Sequence, residues 1–274
     1  MSYATPIGGL PDQNQREYAP ARFTTAYAVL PHRTMRDIVT SYLPFWDKMR
    51  AWVLARPLSG FAETFSHLIV ELESGGGTDR PELDPRAEAV LFVTSGELQL
   101  NLAGDIYTLV AGSYVYIPAG CSWTIRNSEP EPATFHWLRK AYEAVSGIAA
   151  PEAFVTSDQE TNRTVMPDCD GVWATSRFVD PSDMRHDMHV NIVTFQPDGV
   201  IPFAETHVME HGIYVLQGRA EYLLNEDWVS VEAGDYMWLR AFCPQACRAL
   251  EGEEFRYLLY KDVNRHPRLG GAYE

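Results

Sequence analysis

The segment Glu205-Thr206-His207-Val208-Met209-Glu210-His211 holds carboxylates and two imidazoles within seven residues. On a strand, Glu205 and His207 share a face, and His211 follows on the next stretch of chain. Oxygen and nitrogen donors without a thiolate suit Mn²⁺ or Fe²⁺. A polar stretch of this kind can also be a solvated loop, so the surrounding spacing has to decide. A second candidate lies near the end of the sequence. Phe255, Tyr257, Leu259 and Lys261 alternate, so a regular strand puts them on one face. A lysine on the same face as Phe and Leu is not typical of a solvated surface. It points instead to a charged group at an interior edge, able to meet a carboxylate. Cys243 and Cys247 have a CxxxC spacing but no second Cys/His pair of zinc type accompanies them. They are expected to be buried or half-buried thiols.

The elements that would position these groups are visible as a repeat. Gly77, Gly96 and Gly112 recur as Gly199, Gly218 and Gly234, each 122 residues later. Around them, short runs of Val, Leu, Ile and aromatic residues are broken by glycine turns, as in LFVTSGELQLNLAG and AGDYMWLRAF. Strands every eight to twelve residues predict a sandwich or barrel rather than βαβ units. Few other identities survive between the copies, so the duplication is old. Residues 32–56 are expected to hold an edge strand and a short helix, and 141–185 an irregular connector. This places one lobe, with an N-terminal arm, at 1–150 and a second at 151–274.

Charge narrows the function. The 274 residues include 22 Lys and Arg against 37 Asp and Glu, a formal charge of −15. Such a field repels phosphate backbones and argues against nucleic acid as a partner. It also means that a site for an organic acid must create its own positive potential. The first twenty residues lack an apolar core of signal-peptide length, and no apolar run approaches the roughly 20 residues that span a bilayer. The expectation is a soluble cytoplasmic protein without a membrane partner.

The two copies resemble the cupin superfamily, small jelly-roll barrels that hold a metal inside. The first cupin motif runs Gly, five residues, His, one, His, three or four, Glu, six, Gly. Here it reads Gly199, VIPFA, Glu205, Thr206, His207, VME, His211, GIYVLQ, Gly218. The second motif becomes Gly234, DYMWL, Arg240, Ala241, Phe242, CP, Gln245, with Gln245 at its histidine position and Arg240 at its proline. The resemblance implies an all-β bicupin and a metal held by Glu205, His207, His211 and Gln245. One anionic ligand on a dication would leave the site net positive. In the first copy the same four positions are Leu83, Pro85, Ala89 and Trp123. That lobe is expected to keep the fold and lack the metal, with Trp123 pointing into the barrel and Glu88 a solvated or structural residue.

Within the superfamily, the motif ETHxxEHGxYxLxG and the stretch from Met188 to Arg265 are similar to the (S)-ureidoglycine aminohydrolases. These are manganese bicupins of allantoin breakdown, which convert (S)-ureidoglycine to (S)-ureidoglycolate and ammonia. The resemblance implies Mn²⁺, with Fe²⁺ or another divalent ion as the alternative, bound by Glu205, His207, His211 and Gln245. It implies Tyr222, Tyr257 and Lys261, with Glu205 and Gln245, as substrate contacts, and Glu205, Tyr257 and Lys261 as catalytic groups. Tyr222 taken alone reads equally as a barrel-wall aromatic. Asp187 and Met188 are candidates for the pocket edge. The partners implied are a small ureido acid and further copies of the chain in a homo-oligomer. Two other classes stay open. One is a metal-dependent oxidase, decarboxylase or dioxygenase acting on a small organic acid; the other is a non-catalytic sensor of a purine-breakdown metabolite.

Overall fold

The computed structural model describes residues 21–34 and 41–262. The expected N-terminal arm lies outside the described residues. In the first half the strands are β1 (Arg22–Phe23), β2 (Tyr27–Leu30), β3 (Asp47–Ala55), β4 (Phe65–Thr78), β5 (Ala87–Ser95), β6 (Glu97–Leu102), β7 (Asp105–Val110), β8 (Ser113–Ile117), β9 (Trp123–Arg126) and β10 (Ala133–Ala141). In the second they are β11 (Phe154–Ser157), β12 (Arg163–Val165), β13 (Trp173–Arg177), β14 (Met188–Phe195), β15 (His211–Gln217), β16 (Arg219–Leu224), β17 (Asp227–Glu232), β18 (Tyr236–Leu239), β19 (Gln245–Ala249) and β20 (Phe255–Asp262). The described residues form an all-β protein of two barrels.

The spacing of 122 holds strand by strand. β6 and β16 begin at 97 and 219, and β7 and β17 at 105 and 227. The pairings recur too: β5 lies between β8 and β10, and β15 between β18 and β20. Gly96 joins β5 to β6 and Gly218 joins β15 to β16, at φ of 74° and 78°. A Cβ on either would strike backbone or side-chain atoms at under 3 Å, so glycine is required there.

Three apolar cores result. Leu91, Val93, Leu100, Val115 and Phe135 fill the first barrel, and Val193, Phe195, Ile213, Val215 and Phe255 the second. The residues that alternate with them form a third core between the lobes. It includes Val90, Phe92, Leu138, Met188, Val190, Ile192, Leu258 and Tyr260, with Phe65 stacked on Tyr260 at 3.8 Å. All eight residues of β14 are buried because both of its faces are covered. In MHVNIVTF the apolar Met188, Val190 and Ile192 face the interlobe core, and Asn191 and Val193 between and after them face the second barrel's cavity.

Some local expectations change. Residues 141–185 are not merely an irregular connector. Prolines and turns divide them into three short strands, β11, β12 and β13. β11 joins the first lobe by pairing with β8 (Phe154 opposite Tyr116), whereas β2 joins the second by pairing with β18 (Leu30 opposite Tyr236). Each lobe thus covers an edge strand with a segment from the other half of the chain. Within 32–56, a single 3₁₀ turn (His32–Thr34) and β3 are present; residues 35–40 lie outside the described residues. Among the described residues no helix is long and apolar enough to cross a membrane.

Candidate metal centre and active site

One cavity of about 120 Å³ opens at the mouth of the second barrel. Its lining includes Glu205, His207, His211, Gln245, Tyr257 and Lys261. Arg177, Thr175 and Asn191 also face it, with Trp173 and Leu259 as apolar wall.

The donors reach it from different elements. His211 opens β15 and Gln245 opens β19. Glu205 and His207 do not lie on a regular strand, contrary to the expectation. Residues 201–210 form a loop after Gly199, tied to β19 by the Ile201 N–H to the Cys247 carbonyl and by a bridge between Glu205 and Gln245. That bridge exchanges both backbone hydrogen bonds, each at 2.9 Å. His207 Nε2 lies 3.5 Å from Glu205 Oε2, and the His207 and His211 rings are 5.2 Å apart.

The buried donors are oriented by neighbours. His211 Nδ1 is 2.9 Å from the Glu210 carbonyl. An oxygen there can only accept, so Nδ1 carries the proton and Nε2 keeps its lone pair. Burial, with the nearby His207, lowers the His211 pKa to about 3, so the ring stays neutral. Tyr222 donates to Gln245 Oε1 at 3.0 Å, which fixes the amide and leaves that oxygen a second lone pair. Among the described residues no three His, Cys, Asp or Glu side chains are gathered closely enough to hold a metal ion as they stand. The donors with room to turn are Glu205 and His207, whose side chains are 20% and 34% exposed on the loop. A neutral imidazole with its lone pair available, an anchored amide oxygen, a carboxylate and a second imidazole on one small cavity are a donor set that fits a hard or borderline divalent ion.

The rest of the lining supplies positive charge. Lys261 lies opposite His211 on β15 and His189 on β14. Burial and then the Arg177 charge lower its pKa. Phe255, Tyr257, Leu259 and Lys261 share one face of β20, while Leu258 and Tyr260 turn to the interlobe core. Burial raises Tyr257 well above its ordinary value, so it remains a neutral hydroxyl. Tyr222, expected among the substrate contacts, does not line the cavity; it stands behind Gln245 and acts on it. Met188 packs in the interlobe core. Asp187 is bonded there by Lys140 at 2.7 Å, and neither residue lines the cavity. Arg240 is exposed and lines a separate groove with Glu210 and Trp238. Cys243 and Cys247 are buried and unpaired with each other.

Arg177, Thr175 and Asn191 had escaped the sequence reading. They lie on β13 and β14, outside both motifs. The sequence offers only alternation, Trp173, Thr175 and Arg177 recurring every second residue as His189 and Asn191 do; the register then sets Arg177 opposite Asn191.

In the first lobe the four equivalent positions hold Leu83, Pro85, Ala89 and Trp123, none of them a metal donor. Trp123 is buried in its core, edge-on to Trp137. Arg139, in the position equivalent to Lys261, forms a two-point ion pair with Glu82 at the rim. Glu88 is structural rather than solvated. It is fully buried, on the interlobe face of β5, and accepts from Tyr116 at 2.6 Å.

The cupin domain family model matches twice, at residues 68–139 and 191–260. The (S)-ureidoglycine aminohydrolase of Escherichia coli (strain K12) is 30% identical over 233 residues, covering 85% of this chain and 87% of its own. That of Arabidopsis thaliana is 31% identical over 236 residues, covering 85% and 76%. A crystal structure of a Pseudomonas aeruginosa protein, named for induction by glyoxylate, is 62% identical with a TM-score of 0.89, covering 98% of this chain and 99% of that one.

Proposed function

We infer the reaction from a fixed premise: the chain belongs to the cupins and, within them, to the (S)-ureidoglycine aminohydrolases. The reaction proposed is (S)-ureidoglycine plus water giving (S)-ureidoglycolate plus ammonia, with Mn²⁺ as the resident ion. The observation that carries it is the gathering of Glu205, His207, His211, Gln245, Tyr257 and Lys261 on one small cavity.

Glu205, His207, His211 and Gln245 would hold the ion, which supplies Lewis-acid polarisation and a template for the amine and carboxylate. The chain's own groups do the rest. Arg177 and Lys261 attract and orient the substrate carboxylate, overcoming the repulsion of an acidic protein. The Tyr257 hydroxyl hydrogen-bonds the ureido group. The bond to the amine breaks with its electron pair on nitrogen, and the ureido nitrogen's lone pair forms the C=N⁺ of a protonated ureido-imine that keeps its N–H. A proton from Lys261, whose burial makes it a better donor than a solvated lysine, goes to the departing amine. Water then adds to the imine carbon, and its proton returns to the lysine. Glu205, beside the reacting carbon, helps to orient that water. The cavity walls hold the imine with one face open, which accounts for a single enantiomer. The proposed setting is a cytoplasmic homo-oligomer.

A redox reaction on a small organic acid is the competing class. Ammonia release without oxygen uptake, lost in Glu205→Ala, supports the aminohydrolase; oxygen uptake without ammonia overturns it.

A further inference from the structure

Glu210 precedes the ligand His211 and points away from the metal cavity. Its carboxylate is 6% exposed and accepts four hydrogen bonds. Two come from successive backbone amides of the first lobe, Glu63 N at 2.9 Å and Thr64 N at 2.6 Å. The Thr64 hydroxyl and Trp238 Nε1, the latter at 2.8 Å, supply the others. Ala62, just before the two amides, holds φ at 63°, a left-handed conformation that alanine adopts at a cost. Successive amides following such a residue form a concave anion cradle. The first lobe therefore presents a built site, and a glutamate of the second lobe occupies it. The backbone of the same glutamate is held as well: its N–H donates to Asp262 at 2.8 Å, and its carbonyl accepts from His211 Nδ1.

The duplication supplies an internal comparison. The equivalent of Glu210 in the first lobe is Glu88, and that of Trp238 is Tyr116, each 122 residues earlier. Tyr116 donates to Glu88 as Trp238 donates to Glu210. The Asp187 carboxylate acts on Glu88 across the interface, so both glutamates meet the opposite lobe. They differ in the next residue, which is Ala89 in one case and His211 in the other. The clasp persists in both lobes, but only one clasp holds a metal-ligand histidine.

We propose that Glu210 is a positioning residue for the metal centre, and that the metal-free lobe takes part in the reaction by holding it. Anchored at both carboxylate oxygens, Glu210 keeps its carbonyl where it fixes the tautomer and direction of the His211 ring. The inference rests on the metal reading of the second barrel. Partners that orient a ligand histidine typically contribute ten- to a hundredfold to metal affinity.

The test uses the full chain, stripped of metal and titrated with Mn²⁺ by electron paramagnetic resonance and with Co²⁺ by its visible bands. Nitrogen NMR of the His211 ring follows the tautomer in the metal-free protein. Glu210→Gln places an amide NH₂ against donor groups. It is expected to weaken both ions by about ten- to a hundredfold and to mix the His211 tautomers. Thr64→Val removes one donor and serves if Glu210→Gln does not fold; it is expected to weaken binding about threefold. Glu210→Gln within twofold of wild type with an unchanged tautomer, or Thr64→Val without effect, overturns the proposal alone. Wild-type protein that takes up neither ion overturns the metal reading and the proposal together.

Discussion

Glu205 and Gln245 exchange both backbone hydrogen bonds, N to O at 2.9 Å in each direction, across a single isolated bridge. This bridge ties the middle of the 201–210 loop to the start of β19. It fixes the separation of two donors that are forty residues apart in the chain, while the loop on either side stays irregular. The Gln245 side chain is held separately, through Tyr222.

Tyr222→Phe should therefore leave the bridge intact and loosen only the amide. The loss of one buried hydrogen bond is expected to cost about 1 kcal/mol in urea unfolding. Metal affinity should fall severalfold. Unchanged affinity would mean that Tyr222 does not act through Gln245.

Lys261 and Arg177 should separate kinetically. Lys261→Met removes a proton donor as well as a charge, and is expected to lower kcat/KM by about a hundredfold, mostly in kcat. Arg177→Met removes attraction to the carboxylate and should raise KM about tenfold with little change in kcat. The reverse pattern in steady-state kinetics would exchange the two roles.

The sequence made the scaffold legible and left some of the chemistry obscure. Three glycines at a constant spacing of 122 identify the duplication: Gly96, Gly112, Gly218 and Gly234 hold positive φ, and a Cβ on Gly77 or Gly199 would strike neighbouring backbone. The alternation in FRYLLYK placed Tyr257 and Lys261 on the interior face, because β20 alternates between barrel and interlobe core. Arg177 and Asn191 gave no comparable signal. Their polar positions recur every second residue on β13 and β14, and such alternation reads equally as a solvated strand face. Glu88 carries no mark of burial for a related reason: no local pattern flags a glutamate whose partner, Asp187, is 99 residues away. The exchange of β2 and β11 between lobes is equally invisible, since edge pairing depends on what the fold brings near.

Glu88 carries a pH signature. Burial first, and then the bond to Asp187, raise its carboxyl well above the usual range. Tyr116 and Lys140 act in the opposite direction, and His186 lies against Tyr116. Burial alone would raise Asp187, but the bond from Glu88 and the Lys140 charge hold it lower. Glu88 is thus the protonated partner. The folded state keeps a proton that the unfolded chain releases above about pH 4.3, so this contribution to stability is lost as pH rises towards the folded pKa. Asp187 acts with the opposite sign, but below about pH 3.9. In Glu88→Gln the pH-dependent contribution is absent. As pH rises above about 5 the wild type should lose stability relative to the variant, by up to about 1.4 kcal/mol per pH unit until Glu88 ionises in the folded state. Parallel urea-unfolding profiles would contradict this assignment.

Metal affinity should weaken in acid with a shallow slope. His211 stays neutral down to about pH 3, so it contributes no proton to the competition between pH 7 and 5. A plot of log Kd for Mn²⁺ against pH should have a slope of at most about one. A slope near two would mean that both ligand histidines titrate in that range.

The most direct test of the central claim is ammonia release from freshly generated (S)-ureidoglycine, in single turnover, by protein stripped of metal and then given Mn²⁺. The account predicts no acceleration over the spontaneous rate before Mn²⁺ is added. It predicts rapid release afterwards, with (S)-ureidoglycolate as the one enantiomer formed and no response in Glu205→Ala or His207→Ala. Full activity in protein shown to carry no metal, or a tightly bound metal with no acceleration, would contradict it.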